Sequence, residues 1–137
     1  MSEGRIMSKR ASIIIVDDEA PVRETLSNIL RDEGYDVETA KDGREAINKS
    51  KKGFFNLALI DIRLPDAEGT SLLTEMKERT PRMRKVIMTG YPSLQNTLEA
   101  LQKGADAYIV KPPRTEKLLT VIREQLNKQQ ENERVTE

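Results

Sequence analysis

SIIIVDD, residues 12–18, decides how the rest of the chain is read. Ile13, Ile14, Ile15 and Val16 form an unbroken β-branched run with no polar alternation, the mark of a short strand buried on both faces as in a parallel sheet. Two aspartates then end it. NLALIDI (56–62) repeats the pattern and also delivers an aspartate, Asp61. Between the two runs, Pro21 suits a first helical turn, and Val22, Leu26, Ile29 and Leu30 share one helical face that Gly34 closes. YDVETA (35–40) reads as a second strand. Asp42 is a candidate N-cap for a helix through Lys51 that turns Ala46 and Ile47 inward.

The alternation continues towards the C-terminus. A Leu64-Pro65 turn leads to a helix carrying Leu72, Leu73 and Met76, and KVIMT (85–89) is a fourth strand. Ser93 caps a helix bearing Leu94, Leu98 and Leu101, closed by Gly104, and the helix leucines are read as core. ADAYIV (105–110) is a fifth strand, broken by Lys111-Pro112-Pro113. Leu118, Leu119, Ile122 and Leu126 mark a last helix, after which a polar tail is expected to fray. Strands alternating with helices predict an α/β fold, a doubly wound, five-stranded parallel sheet with helices on both faces. The expected layout is a flexible extension over 1–10, one domain over 11–127 and a polar tail over 128–137.

Composition narrows the chemistry. The 137 residues contain no histidine, cysteine or tryptophan, so zinc sites of Cys or His, disulfides, thiol nucleophiles and Ser-His-Asp triads are excluded. Basic and acidic residues balance at 23 each, which argues against bulk nucleic-acid binding. No apolar block is long enough to span a bilayer, and MSEGRIMSKR (1–10) lacks the apolar run of a signal peptide, so a cytoplasmic protein is expected.

Ligands of an open parallel sheet collect at the carboxyl ends of the strands. There the first strand delivers Asp17 and Asp18 with Glu19 beside them, the third Asp61, the fourth Thr89 followed by Gly90, and the fifth Lys111. Carboxylates gathered at one edge repel unless a cation neutralises them, and an all-oxygen set with open positions suits Mg²⁺. Asp61 can offer one oxygen to the metal and use the other as a nucleophile towards phosphorus, while Lys111 and Thr89 steady the phosphoryl oxygens. Glu19 is read as a helix-start charge rather than a ligand, and the basic residues over 77–85 as a solvated surface.

IVDDE (15–19), DIRLPDAEG (61–69), MTG (88–90) and VKPP (110–113) together resemble the receiver domain of two-component response regulators, from residue 12 to about 126. Residues 88–112 are similar to the receivers of nitrogen-regulation-type transcription activators, although no ATPase or DNA-binding sequence follows within the chain. The resemblance implies the flavodoxin-like strand order 2-1-3-4-5. It makes Asp61 the phosphoacceptor, attacking a phosphohistidine on a sensor histidine kinase or a histidine phosphotransfer protein. Asp18 becomes a direct Mg²⁺ ligand, Asp17 an acid that holds the metal through water, and the Arg63 backbone carbonyl a further ligand. Lys111, Thr89 and the Gly90 backbone would stabilise the phosphoryl group, Thr89 and Tyr108 would form the switch, and Arg63 and Tyr91 would tune acyl-phosphate lifetime. The face of the fourth helix, fifth strand and fifth helix would then engage a downstream effector or a second copy. A receiver cut from a longer transcription regulator is an alternative. So is a Mg²⁺-dependent phosphatase with an aspartate nucleophile, although that class wants a second aspartate two residues after its nucleophile, where Asp61 has Arg63 and Asp17 has Glu19.

Overall fold

In a computed structural model that describes residues 10–64, 69–90 and 93–136, strand and helix alternate throughout. The strands are β1 (Ser12–Val16), β2 (Asp36–Ala40), β3 (Leu57–Asp61), β4 (Arg84–Thr89) and β5 (Ala107–Val110). The helices are α1 (Ala20–Asp32), α2 (Gly43–Lys52), α3 (Gly69–Arg79), α4 (Leu94–Gln102) and α5 (Thr115–Thr136). All strand pairs are parallel, in the order β2-β1-β3-β4-β5. Residues 1–9 of the extension expected over 1–10, Pro65 and Tyr91 lie outside the described residues.

Burial on both faces explains the unbroken apolar runs. Ile13 and Ile15 of β1 and Leu57 and Leu59 of β3 point to a layer formed by Leu26 and Leu30 of α1 and Leu118, Val121 and Ile122 of α5. The alternate residues, Ile14, Val16, Ala58 and Ile60, meet α2, α3 and α4 through Ala46, Ile47, Leu72, Leu73, Met76 and Ala100. The edge strand β2 is only partly buried, Val37 facing the layer of α1 and α5 and Ala40 the opposite one.

Capping follows local chemistry. The Asp42 carboxylate accepts from the Glu45 amide at 2.8 Å, and the Ser93 hydroxyl from the Asn96 amide at 3.1 Å. α1 and α4 end alike. Gly34 (φ 100°) and Gly104 (φ 115°) turn left-handed, and the Tyr35 and Ala105 amides return to the carbonyls of Leu30 and Ala100. That turn is one a side chain with a Cβ rarely adopts.

Three features depart from the sequence reading. Lys85, within the basic stretch read as a solvated surface, is buried, and its ammonium donates to the carbonyls of Thr80 (2.9 Å) and Met83 (2.6 Å). Leu98 and Leu101 are about half exposed, and among the α4 residues whose burial is described Ala100 is the buried one. This short helix packs on α3 rather than squarely over a strand, so its leucine stripe outruns the sheet available to cover it. The polar segment after Asn127, expected to fray, continues α5 to Thr136, and Gln125 and Gln129 are buried. The Gln129 amide group accepts from Asn56 Nδ2 (3.0 Å) and donates to the carbonyls of Asn56 (3.0 Å) and Arg82 (2.7 Å). One turn earlier, Gln125 accepts two bonds from the Arg84 guanidinium. A polar clamp therefore docks the helix against the start of β3 and β4. Among the described residues, no helix is long and apolar enough to cross a membrane.

Candidate functional site

Strand register assembles the site. Val16 pairs with Ile60, so Asp17 and Asp61, each one step further, leave the sheet side by side. Asp61 is level with Met88 and Thr89 with Val110, which brings Thr89 and Lys111 to the same edge. Asp18, Glu19, Asp61, Ile62, Arg63, Thr89, Gly90 and Lys111 line a pocket of about 310 Å³ there. A Cβ on Gly90 would meet open space, so nothing crowds the pocket wall at that point. The Lys111–Pro112 peptide bond is cis.

The carboxylates are held unequally. Asp17 is fully buried, and both its oxygens are in short bonds: Oδ2 with the Lys111 ammonium at 2.8 Å, Oδ1 with the Glu19 amide at 2.9 Å. Asp61 keeps 11% of its side chain exposed and is held loosely, by Lys111 at 3.4 Å and by the Arg63 amide at 3.2 Å. Asp17 is thus the anchor and Asp61 the accessible group. Burial pushes the Asp61 carboxyl up; the Arg63 amide pulls it back, the Asp17 charge raises it again, and Lys111 lowers it. Burial also works against the Lys111 ammonium, but the bond and charge of Asp17, with Asp61 behind, outweigh it and hold Lys111 above its ordinary value.

Carboxylate oxygens of Asp17, Asp18 and Glu19 lie within 4.8 Å of one another. An all-oxygen donor set with Asp18 and Glu19 exposed fits a hard, partly hydrated cation such as Mg²⁺. Asp18 opens into the pocket shared with Asp61 and Arg63, whereas both Asp17 oxygens are already engaged. Glu19, read from sequence as a helix-start charge, sits at the N-cap of α1 without a side-chain capping bond and belongs to the cluster.

Thr89 is buried at the pocket wall, and Tyr108 is half-buried against the core layer of α2, α3 and α4. Tyr108 is level with Ile87, two residues before Thr89, so Thr89 and Tyr108 lie on the same face of the sheet. Arg23, which the sequence reading did not single out, reaches back from α1 to the Asp17 carbonyl at 2.7 Å. Its one sequence signal is a cation in a first helical turn, where charge of that sign is disfavoured.

Comparison with known proteins agrees with this geometry. Residues 13–123 match the family model described as the response regulator receiver domain. The chain is 34% identical over 122 residues to the alginate biosynthesis transcriptional regulatory protein AlgB of Pseudomonas aeruginosa, covering 89% of this chain and 27% of that protein. It is 37% identical over 100 residues to the transcriptional regulatory protein ZraR of Escherichia coli, covering 73% and 23%. The chain therefore spans about a quarter of the length of these relatives. Among solved structures, a CheY-like response regulator receiver domain protein from Methanospirillum hungatei superposes with a TM-score of 0.87 at 44% identity, covering 90% of this chain and 99% of that one.

Proposed function

Because the chain belongs to the response regulator receiver domain family, we propose that it is a cytoplasmic, phosphorylation-activated signalling module that takes a phosphoryl group onto Asp61. In this reading the donor is a phosphohistidine of a sensor kinase or a histidine phosphotransfer protein; the 137 residues themselves contain no histidine. The observation that carries the reading is the contrast between the two carboxylates on Lys111: Asp17 is fully buried in short bonds, and Asp61 is loosely held and faces the pocket.

An Asp61 oxygen attacks the phosphorus, the P–N bond to the imidazole breaks, and an acyl phosphate remains. Lys111, already 3.4 Å from Asp61, pairs with a phosphoryl oxygen. The Thr89 hydroxyl and the Gly90 amide serve the others, since phosphoryl transfer is mostly positioning and electrostatics. Asp18 and the Arg63 carbonyl, with Asp17 through water, would hold Mg²⁺, which supplies charge neutralisation at the transferring group. Arg63, which lines the pocket, and Tyr91, two residues after Thr89 in the sequence, tune acyl-phosphate lifetime.

Thr89 drawn towards the phosphoryl group vacates space on the face it shares with Tyr108, and the tyrosine turns into it. α4, β5 and α5 then present a different surface to an effector or a second copy. Moving such an equilibrium from mostly off to mostly on takes about 5.5 kcal/mol of differential stabilisation, a range that new charge-assisted bonds reach together. The half-exposed Leu98, Leu101 and Val110 support this face as the output surface. A second reading, that the receiver serves a transcription regulator, is favoured by the relatives, transcriptional regulatory proteins of which this chain matches about a quarter.

Incubation with Mg²⁺ and acetyl phosphate, followed by intact-mass measurement, tests the assignment. One added phosphoryl group, absent from Asp61→Ala, is the expected result. Turnover of phosphate esters without an adduct would instead support the phosphatase.

A further inference from the structure

The first turn of α1 carries no acidic residue and its N-cap makes no side-chain capping bond. It carries Arg23 instead, a charge opposed to the positive end of the helix dipole. This local cost has a tertiary counterpart. Arg23 Nη1 donates to the Asp17 carbonyl at 2.7 Å, from a half-buried position. The other polar groups of Asp17 are also held: its amide by the Ala40 carbonyl, Oδ1 by the Glu19 amide and Oδ2 by Lys111. The carbonyl is the group that matters for direction. It belongs to the peptide joining Asp17 to Asp18, so its orientation sets where Asp18 projects, and Asp18 is the residue that opens into the pocket beside Asp61.

We propose that Arg23 is a positioning residue for the acidic turn, fixing the Asp17–Asp18 peptide so that Asp18 presents its carboxylate to a divalent cation at the phosphoacceptor pocket. The proposal rests on the receiver reading above and goes beyond it, because Arg23 is not among the residues that line the pocket and acts on it through the Asp17 carbonyl. Charge alone predicts the opposite sign. A guanidinium acting only as a nearby cation repels Mg²⁺, and its removal would tighten binding. A guanidinium that orients a ligand strengthens binding despite its charge, and loss of such outer-shell partners weakens metal affinity by about tenfold or more.

The test uses the full chain as wild type, Arg23→Ala and Arg23→Met, the methionine retaining an unbranched apolar stem should alanine disturb folding. Mg²⁺ is titrated against backbone amide NMR shifts without phosphodonor, and thermal melts in EDTA report on folding. In parallel, the rate of mass gain from acetyl phosphate is followed against Mg²⁺ concentration. The expected result is about tenfold weaker Mg²⁺ binding in a cooperatively folded variant, with a matching rise in the Mg²⁺ half-saturation of the rate. The rate at saturating Mg²⁺ returns to within about threefold of wild type, a split that general loosening of the fold would not produce. Variants that bind Mg²⁺ as tightly as wild type, or more tightly, overturn the positioning role alone. Wild-type protein that neither binds Mg²⁺ nor gains mass overturns the receiver reading, and this proposal with it.

Discussion

Gln129→Ala tests whether the last turns of α5 belong to the domain. Gln129 lies on a polar stretch, NKQQENER (127–134), yet is 4% exposed. The substitution removes one acceptor from Asn56 Nδ2 and one donor each from the carbonyls of Asn56 and Arg82. Each net hydrogen bond is worth roughly 0.5–1.5 kcal/mol, so the three together contribute about 1.5–4.5 kcal/mol. One observation favours the lower half of that range: the Asn56 carbonyl retains the Arg84 amide as a partner at 2.9 Å. The expected loss is about 2 kcal/mol, or roughly 6–8 °C in melting temperature for a domain of this size. Urea and thermal unfolding followed by far-UV circular dichroism measure it, with Lys128→Ala, exposed on the neighbouring position, as a control expected within about 0.5 kcal/mol of wild type. A Gln129→Ala protein as stable as that control would refute the docking of α5, and the segment would fray as its composition suggests.

Lys111→Met leaves Asp17 and Asp61 without their shared cation, so it is expected to lose about 3–5 kcal/mol of stability in EDTA while binding Mg²⁺ more tightly; unchanged or weaker Mg²⁺ binding in an NMR titration contradicts this. Lys85 is 3% exposed, and burial lowers its ammonium, with the Asp106 charge opposing and Arg84 and Lys77 reinforcing the shift. A lysine depressed in the fold binds its proton better when the chain is unfolded, so stability rises with pH from the folded value towards about 10.4. Wild type should therefore gain stability relative to Lys85→Met in thermal melts from neutral to alkaline pH, and parallel curves would count against the burial of the charge. Leu98→Ser with Leu101→Ser alters half-exposed residues and should leave melting within a few degrees and mass gain at Asp61 intact. It should abolish self-association or effector binding by the phosphorylated protein, read by sedimentation or pull-down; unaltered binding removes this face as the output surface.

The strand–helix alternation, the turns at Gly34 and Gly104, the caps at Asp42 and Ser93 and the edge where Asp17, Asp18, Asp61, Thr89 and Lys111 meet were all legible in the sequence. They follow from local rules. A strand buried on both faces must be apolar until it reaches the edge, so the first charged residue after each run marks where the sheet ends and chemistry begins. No such rule covers polar groups that find partners across the fold. Gln129 meets Asn56 seventy-three residues away, and nothing in a run of glutamine, asparagine and glutamate distinguishes a docked turn from a frayed one.

Packing likewise overruled the leucine spacing of α4, because periodicity shows which residues share a face and not how much sheet lies beneath it. The division of labour between the carboxylates also belongs to the tertiary structure. In sequence, Asp17 and Asp61 are equivalent aspartates at strand ends. In the fold, Lys111 arrives 2.8 Å from one and 3.4 Å from the other, and burial is complete for the first alone. Sequence by itself determined which groups reach the edge, since side-chain polarity and strand length are local properties. Only the assembled sheet decided which carboxylate is anchored and which is left accessible, because distance and desolvation exist only once the strands stand side by side.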